Sequence, residues 1–116
     1  ANSAGISRIR NSNDNLHIDS GANGSLYLNY YAQTLIYAST IIPRTNAGFD
    51  LGSGSARWRD LYINDLALSN ESKKDTGGND VDGTWGDWRI QEGESDLFII
   101  NNRNGKKYKF NLTEVS

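Results

Sequence analysis

Residues 88–112 read WRIQEGESDLFIINNRNGKKYKFNL, and this stretch decides the fold class. Three runs rich in apolar residues are separated by the turn-forming segments Gly93-Glu-Ser95 and Arg103-Asn104-Gly105. Asn-Gly is a strong hairpin signal, because both central positions of a type I′ turn need a positive φ. In the last run, Tyr108, Phe110 and Leu112 alternate with polar residues, which gives a strand one apolar and one solvated face. The pattern predicts a three-stranded antiparallel meander.

The segments before the meander are less regular. Residues 70–85 are polar and glycine-rich, which predicts a long loop. Residues 65–116 are therefore interpreted as a second region, with the loop at 70–85 followed by the meander at 86–115. Upstream of it, Ser55 is a candidate N-cap for one helical turn over residues 55–60. Two further segments are expected to be extended, at residues 61–63 and 66–68.

The first third of the chain contains a weak repeat. The triplets Leu16-His17-Ile18, Leu26-Tyr27-Leu28 and Ile36-Tyr37-Ala38 follow one another at ten-residue steps, with turn-forming residues between them. Short strands separated by turns are the predicted structure, and both a meander and a β-solenoid fit the spacing. Residues 1–64 are therefore interpreted as a region of short β-strands, and the fold class as all-β.

Composition limits the function classes. The 116 residues are 36% hydrophobic and include 12 Gly, a single His and no Cys. Disulfides and thiolate metal sites are excluded, and one histidine cannot form a His-rich metal site within a chain. A net charge of -2 does not favour nucleic acid, and no apolar run approaches the ~20 residues of a membrane span. We expect no metal ion, cofactor, nucleic acid or membrane insertion.

One segment carries a family resemblance. Asp50–Tyr62 reads DLGSGSARWRDLY and resembles a segment that recurs in bacteriophage tail fibres and tailspikes, D-L-G-S-x-x-x-R-W-x-x-x-Y. Residues 24–30 and Ile42-Pro43 look like the shaft repeats that precede it in such fibres. The stretch 64–115 is similar to the carboxy-terminal regions of phage virion proteins. The resemblance therefore implies that residues 1–64 are shaft-like and residues 65–116 tip-like.

The resemblance implies a homotrimer of intertwined β-structure in the distal part of a virion appendage, assembled in the host cytoplasm. Such a module attaches to the host surface through a glycan or an outer-membrane protein and is not an enzyme. A shared three-fold axis would bury short apolar strands that are too thin for a core of their own. Four aliphatic residues are the candidates for this trimer core: Leu16, Ile18, Leu26 and Leu28.

Two alternative functions stay open. An enzymatic tailspike that cleaves polysaccharide would need two carboxyl groups across a cleft. Glu92, Glu94 and Asp96 are instead expected to solvate a hairpin turn. A purely structural connector of the fibre, without any ligand, is the other alternative.

Aromatic residues supply the candidates for receptor binding. Trp85 and Trp88 can offer stacking platforms for a sugar, with Asp87 and Arg89 as hydrogen-bonding partners. The competing interpretation is that both indoles pack on the meander. Adjacent residues of a strand face opposite sides, so one of two neighbouring tyrosines is expected to be exposed as a contact residue. This pair is Tyr30 and Tyr31.

Overall fold

The computed structural model describes residues 5, 7–32 and 34–116. The chain divides into two compact units, Ala1–Ile41 and Ile42–Ser116. The boundary between residues 64 and 65 that the sequence suggests lies inside the second unit and stays a prediction.

The second unit contains a four-stranded antiparallel sheet in the order β1-β2-β3-β4. The strands are Leu66–Ser69 (β1), Asp87–Glu92 (β2), Leu97–Asn101 (β3) and Lys107–Lys109 (β4). The all-β class is thus confirmed, and β2 to β4 form the predicted meander. The extended segment at 66–68 adds a fourth strand, because β1 pairs with β2 across the long loop.

The register gives the sheet two different faces. Cross-strand partners lie on the same face, and their side chains are the closest neighbours in a sheet. The pairs Leu68↔Trp88, Leu66↔Ile90, Ile90↔Ile99 and Ile99↔Tyr108 place six apolar or aromatic residues together. We call this set the apolar face. The opposite face carries Arg89, Gln91, Phe98, Ile100, Lys107 and Lys109.

The hairpin between β3 and β4 differs from the predicted type I′ turn. The Asn101 N–H donates to the Lys106 carbonyl at 2.9 Å, and the Gly105 N–H to the Asn101 carbonyl at 2.8 Å, so four residues form the loop. Gly105 has a φ of 76°, whereas Asn104 is not among the residues with positive φ. The Asn104 side-chain oxygen instead accepts the Lys106 N–H at 2.9 Å. This local bond stabilises a longer loop with a single left-handed residue.

The predicted helical turn at residues 55–60 is wrong. The Ser53 hydroxyl accepts the Ala56 N–H at 3.0 Å, and the Ser53 N–H donates to the Ala56 carbonyl at 2.9 Å. Ser53, rather than Ser55, therefore provides the side-chain bond, and it closes a four-residue turn instead of capping a helix. The segment 61–63 makes no strand pairing.

The strands predicted in the first third are also not formed within one chain. Residues 16–18, 26–28 and 36–38 belong to no strand, and the local structure there consists of bends and turns. One turn is closed by the Gly24 N–H, which donates to the Gly21 carbonyl at 2.9 Å. The apolar triplets find no neighbouring strand in their own chain, so the pairing that a β-strand requires is missing.

No side chain in the described part of the chain is fully buried. A folded monomer of 12.9 kDa exposes roughly 6300 Å² of surface. This chain exposes 11597 Å², close to twice that area. A single copy therefore has a formed sheet but no hydrophobic core.

Candidate functional site

The long loop that precedes β2 is fastened at its base by Asn70. Its side-chain oxygen accepts the Gly86 N–H at 2.8 Å, and its backbone N–H donates to the Gly86 carbonyl at 3.3 Å. The Asn70 amide nitrogen also donates to the Thr84 carbonyl at 3.3 Å. A short 3₁₀ turn, Glu71–Lys73, follows directly. Residues 70–85 thus form the predicted loop, and hydrogen bonds join its two ends.

A second group of hydrogen bonds holds the tip of this loop. The Asn79 amide donates to Asp82 Oδ1 at 2.8 Å, and Asp82 Oδ1 also accepts the Thr84 hydroxyl at 2.7 Å and the Thr84 N–H at 3.1 Å. Gly78 has a φ of 65°, and its Cα lies so close to the Gly83 carbonyl that a side chain would collide with it. The bonds from Thr84 and then Asn79 hold the pKa of Asp82 below its ordinary value, because they stabilise the carboxylate.

Arg103 connects the β3–β4 hairpin to the residue that ends the long loop. Its Nη1 donates to the Trp85 carbonyl at 2.9 Å, and its guanidinium carbon lies 3.7 Å from the centre of the Trp85 ring. Next to it, Asn102 donates to the Asp87 carbonyl at 2.8 Å through its backbone and to Asp87 Oδ1 at 3.0 Å through its side chain. The hairpin therefore fixes the position of the Trp85 indole.

Between the loop and this hairpin lies an open groove of about 990 Å³. We call it the Trp85 groove. It lies at the upper end of the size range of ligand clefts, which is about 300–1000 Å³. Aromatic, amide and charged side chains line it together, among them Trp85, Trp88, Lys73, Asp80, Arg103 and Asn104.

The structure brings the two predicted tryptophans together at this groove. Trp88 lies on the apolar face, half-buried, with its ring centre 6.1 Å from that of Tyr108. Trp85 is half-buried beneath Arg103. Both indoles therefore pack against the protein and line the groove at the same time, so the two interpretations of the pair are compatible.

Asp87 and Arg89, the predicted hydrogen-bonding partners, are engaged elsewhere. Asp87 accepts from Asn102 as described. Arg89 lies on the face of the sheet opposite Trp88, where its Nη1 is 3.3 Å from Asp65 Oδ2. Gln91 donates to the same oxygen at 3.0 Å, and this bond, followed by Arg89, lowers the pKa of Asp65 from its ordinary value. Neither side chain belongs to the lining of the Trp85 groove.

Tyr30 and Tyr31 lie in a turn, not in a strand, so the expectation of opposite faces is wrong. The two rings contact edge to face at 4.9 Å, and Tyr27 adds a third ring 4.8 Å from Tyr30. The turn follows Asn29, which has a φ of 52°. Tyr31 remains 92% exposed. The tyrosines form an exposed aromatic cluster of the first unit.

The candidate trimer-core residues all lie at the surface of the single chain. Between 51% and 58% of each side chain is exposed: Leu16, Ile18, Leu26 and Leu28. Their aliphatic side chains are therefore open to a partner.

Sequence reasoning missed several residues of the groove. The sequence places Arg103 in a predicted turn and Lys73 and Asp80 in a predicted polar loop, and it assigns none of them to ligand binding with Trp85. No pattern pointed to them, because they come from two loops that are about 25 residues apart and meet through β-pairing. The asparagines of both loops are the one feature of the sequence that indicates ordered loops, since Asn side chains form hydrogen bonds with nearby backbone groups.

Comparisons with known proteins give no match. No protein-family model matches the chain, and neither the curated proteins nor the solved structures show significant similarity to it. Among the described residues, no group of three or more His, Cys, Asp or Glu side chains is placed to hold a metal ion. No helix in that part of the chain has the length and apolar character of a membrane span.

Proposed function

We propose that the chain is a module of a bacteriophage tail fibre or similar virion appendage that attaches to the host surface as a homotrimer. The resemblance of Asp50–Tyr62 to the recurring fibre segment supports this origin. The appendage would be assembled in the host cytoplasm, and its partners are two further copies of the chain and a receptor on the host cell.

The observation that carries the proposal is the absence of any fully buried side chain among the described residues of a single copy. The surface in excess of a folded monomer is roughly 5000 Å². Obligate homo-oligomers bury about 2000–5000 Å² or more per interface, so the excess is of the size that such assembly removes. A monomeric function would leave the apolar surface in water.

Burial at a shared axis supplies the missing stability. Each aliphatic side chain removed from water contributes roughly 1.5–3 kcal/mol, and three-fold symmetry repeats the contribution in every copy. Leu16, Ile18, Leu26 and Leu28 are the side chains assigned to this axis. The same assembly would give the apolar triplets the neighbouring strands that they lack, and so produce an intertwined β fibre.

Receptor attachment is assigned to the Trp85 groove. It combines half-buried indoles with charged and amide side chains, a composition typical of ligand clefts. Large exposed aromatic surface marks interaction sites, and the cluster of Tyr27, Tyr30 and Tyr31 is a second contact candidate.

Light scattering and cell adsorption together test the proposal. The purified chain is expected to have a mass three times 12.9 kDa at all concentrations studied, and the fluorescently labelled protein to adsorb to a subset of a panel of bacterial strains. A monodisperse folded monomer would contradict the trimer. A trimer that adsorbs to no strain would leave the structural connector as the better account.

A further inference from the structure

We infer that the Trp85 groove binds an uncharged saccharide, with Trp85 and Trp88 as stacking platforms and Asn101, Asn104, Lys73 and Asp80 as its hydrogen-bonding partners. The biological role of this saccharide depends on the proposed function, under which it would be the receptor on the host cell.

The two indoles are held in place before a ligand arrives. Arg103 fixes Trp85 by lying over one face of its ring and by the bond to its carbonyl, so the sugar is assigned to the opposite face of this indole. Trp88 is held by its place in β2 and by Tyr108. An indole offers a flat apolar surface with one polar atom, which matches the apolar face and hydroxyl rim of a pyranose ring. Because the rings are already ordered, binding requires little loss of side-chain entropy.

The polar lining leaves donors available for a ligand. The side-chain oxygens of Asn101 and Asn104 accept the N–H groups of Arg103 and Lys106 at 3.0 and 2.9 Å. These bonds orient both amides, while their Nδ2 groups donate to no partner in the described part of the chain. The Lys73 ammonium also makes no ion pair with any described residue, unlike Lys74, which lies 3.7 Å from Glu71.

One carboxylate of the lining is available as an acceptor. Asp80 has neither a side-chain hydrogen bond nor an ion pair within the part of the chain that the structure describes. Asp82, by contrast, already accepts bonds from Asn79 and Thr84 and holds the loop. A sugar hydroxyl both donates and accepts, so a lining that offers free donors beside a free acceptor suits a polyol better than a purely anionic group.

The side chains that line the Trp85 groove carry equal numbers of positive and negative charges. Lys73 and Arg103 provide two cations, and Asp80 and Asp82 provide two carboxylates. A charged ligand of either sign would meet two side chains of its own sign and two of the opposite sign, so attraction and repulsion offset each other. The cost of removing its charge from water then has little compensation, and an uncharged ligand does not bear this cost.

The test is an NMR titration of the full chain with matched saccharides. The probes are maltose, N,N′-diacetylchitobiose and lactose as uncharged ligands, and 3′-sialyllactose as the acidic counterpart of lactose. The indole N–H signals of Trp85 and Trp88 and the side-chain amides of Asn101 and Asn104 are expected to shift saturably with an uncharged disaccharide. The Trp58 indole, outside the groove, serves as the internal reference.

Matched variants connect the signal to the groove. Asp80→Ala is expected to weaken the uncharged saccharide roughly tenfold, while Asp75→Ala, in the same loop but outside the lining, leaves it unchanged. Lys73→Ala and Lys74→Ala form a second pair with the same expectation. All four side chains are exposed, so the variants are expected to fold.

The outcomes separate this inference from the proposed function. Tighter binding of 3′-sialyllactose than of lactose, or no shift with any uncharged saccharide, would overturn the inference. If the trimer then still adsorbs to cells, the receptor is an acidic glycan or a protein and the proposed function stands. If an uncharged saccharide shifts the NMR signals of the groove but the chain neither trimerises nor adsorbs to cells, the groove binds a saccharide and the fibre function is rejected.

Discussion

The two units of the chain have similar amphipathic patterns, but among the described residues only the second unit forms β-strands. Residues 66–109 form a hydrogen-bonded sheet within one copy, whereas the triplets at 16–18, 26–28 and 36–38 form no strand. The difference lies in the connections. Compact turns at Gly93–Asp96 and Asn101–Lys106 are closed by backbone hydrogen bonds and bring consecutive strands side by side. The spacers between the triplets close only local bends, and the triplets pair with no strand in the described part of the chain.

The largest expected effect concerns the triplets. Leu16→Asp combined with Leu26→Asp is expected to abolish the trimer, because both charges would lie at the proposed axis in three copies. Each lost aliphatic contact costs roughly 1.5–3 kcal/mol per chain, before the cost of burying a carboxylate is added. Light scattering measures the mass, and Ser20→Asp, just before the turn closed by Gly21 and Gly24, is the control. A double variant that stays trimeric would place the axis elsewhere.

The apolar face of the sheet provides the next prediction. Ile99→Ala is expected to lower the free energy of unfolding by about 2–4 kcal/mol if another chain covers this face. Ile99 is only half-buried in one copy, so an open face predicts a loss of about 1 kcal/mol or less. Denaturant unfolding measures the difference, with Ile100→Ala on the opposite face as the matched control. Equal, small losses in both variants would mean that the sheet is not part of the assembly.

Arg103→Ala tests how the hairpin holds the long loop. The substitution removes the contact with the Trp85 ring and the bond to its carbonyl, which together are expected to contribute about 1–2 kcal/mol. Hydrogen exchange at Gly86 and Asn102 is expected to accelerate by roughly tenfold, while exchange in β3 stays unchanged. Lys106→Ala, at the end of the same hairpin, is the control. Unchanged exchange at both amides would show that the bonds made by Asn70 and Asn102 fix the loop without Arg103.

The smallest effect is the pH dependence of the loop tip. Asp82 has a lowered pKa in the folded chain, so its contribution is complete above the ordinary value of 3.8 and is lost as the pH falls through the lowered folded value. Acidification below about pH 4 is therefore expected to loosen residues 79–84. NMR titration of the Asp82 carboxyl carbon measures the midpoint. A midpoint at or above 3.8 would contradict the bonding described for Thr84 and Asn79.

The sequence allowed the meander to be predicted because its signals are local. The turns around Gly93 and Gly105 and the alternation after them specify which residues pair, and β2 to β4 follow them. The alternation predicts a last strand that reaches Leu112, whereas β4 ends at Lys109. The turn type at Asn104 was wrong, because the Asn101 and Asn104 side chains bond to the backbone and stabilise a four-residue loop. The Asn104-Gly105 dipeptide alone does not show that these side-chain hydrogen bonds will favour the longer loop.

The candidate site could be predicted only in part. Trp85 and Trp88 were identified by their type and spacing, but the period of two in a strand places Arg89 on the other face from Trp88. The pairing of β1 with β2 and of β2 with β3 brings the loops that carry Arg103, Lys73 and Asp80 to the groove, and no short sequence motif predicts that pairing. Tyr30 and Tyr31 lie in a turn rather than a strand, so the alternation of faces on which the sequence prediction rested does not apply to them.

Hydrogen exchange of the native chain, resolved by residue, tests the central claim most directly. Order in the first unit is proposed to come from neighbouring copies, while the sheet of the second unit forms within one chain. The account predicts that amides at 16–18 and 26–28 exchange as slowly as those of β2 and β3 in the assembled protein. Rapid exchange at both triplets, beside a protected sheet, would contradict it.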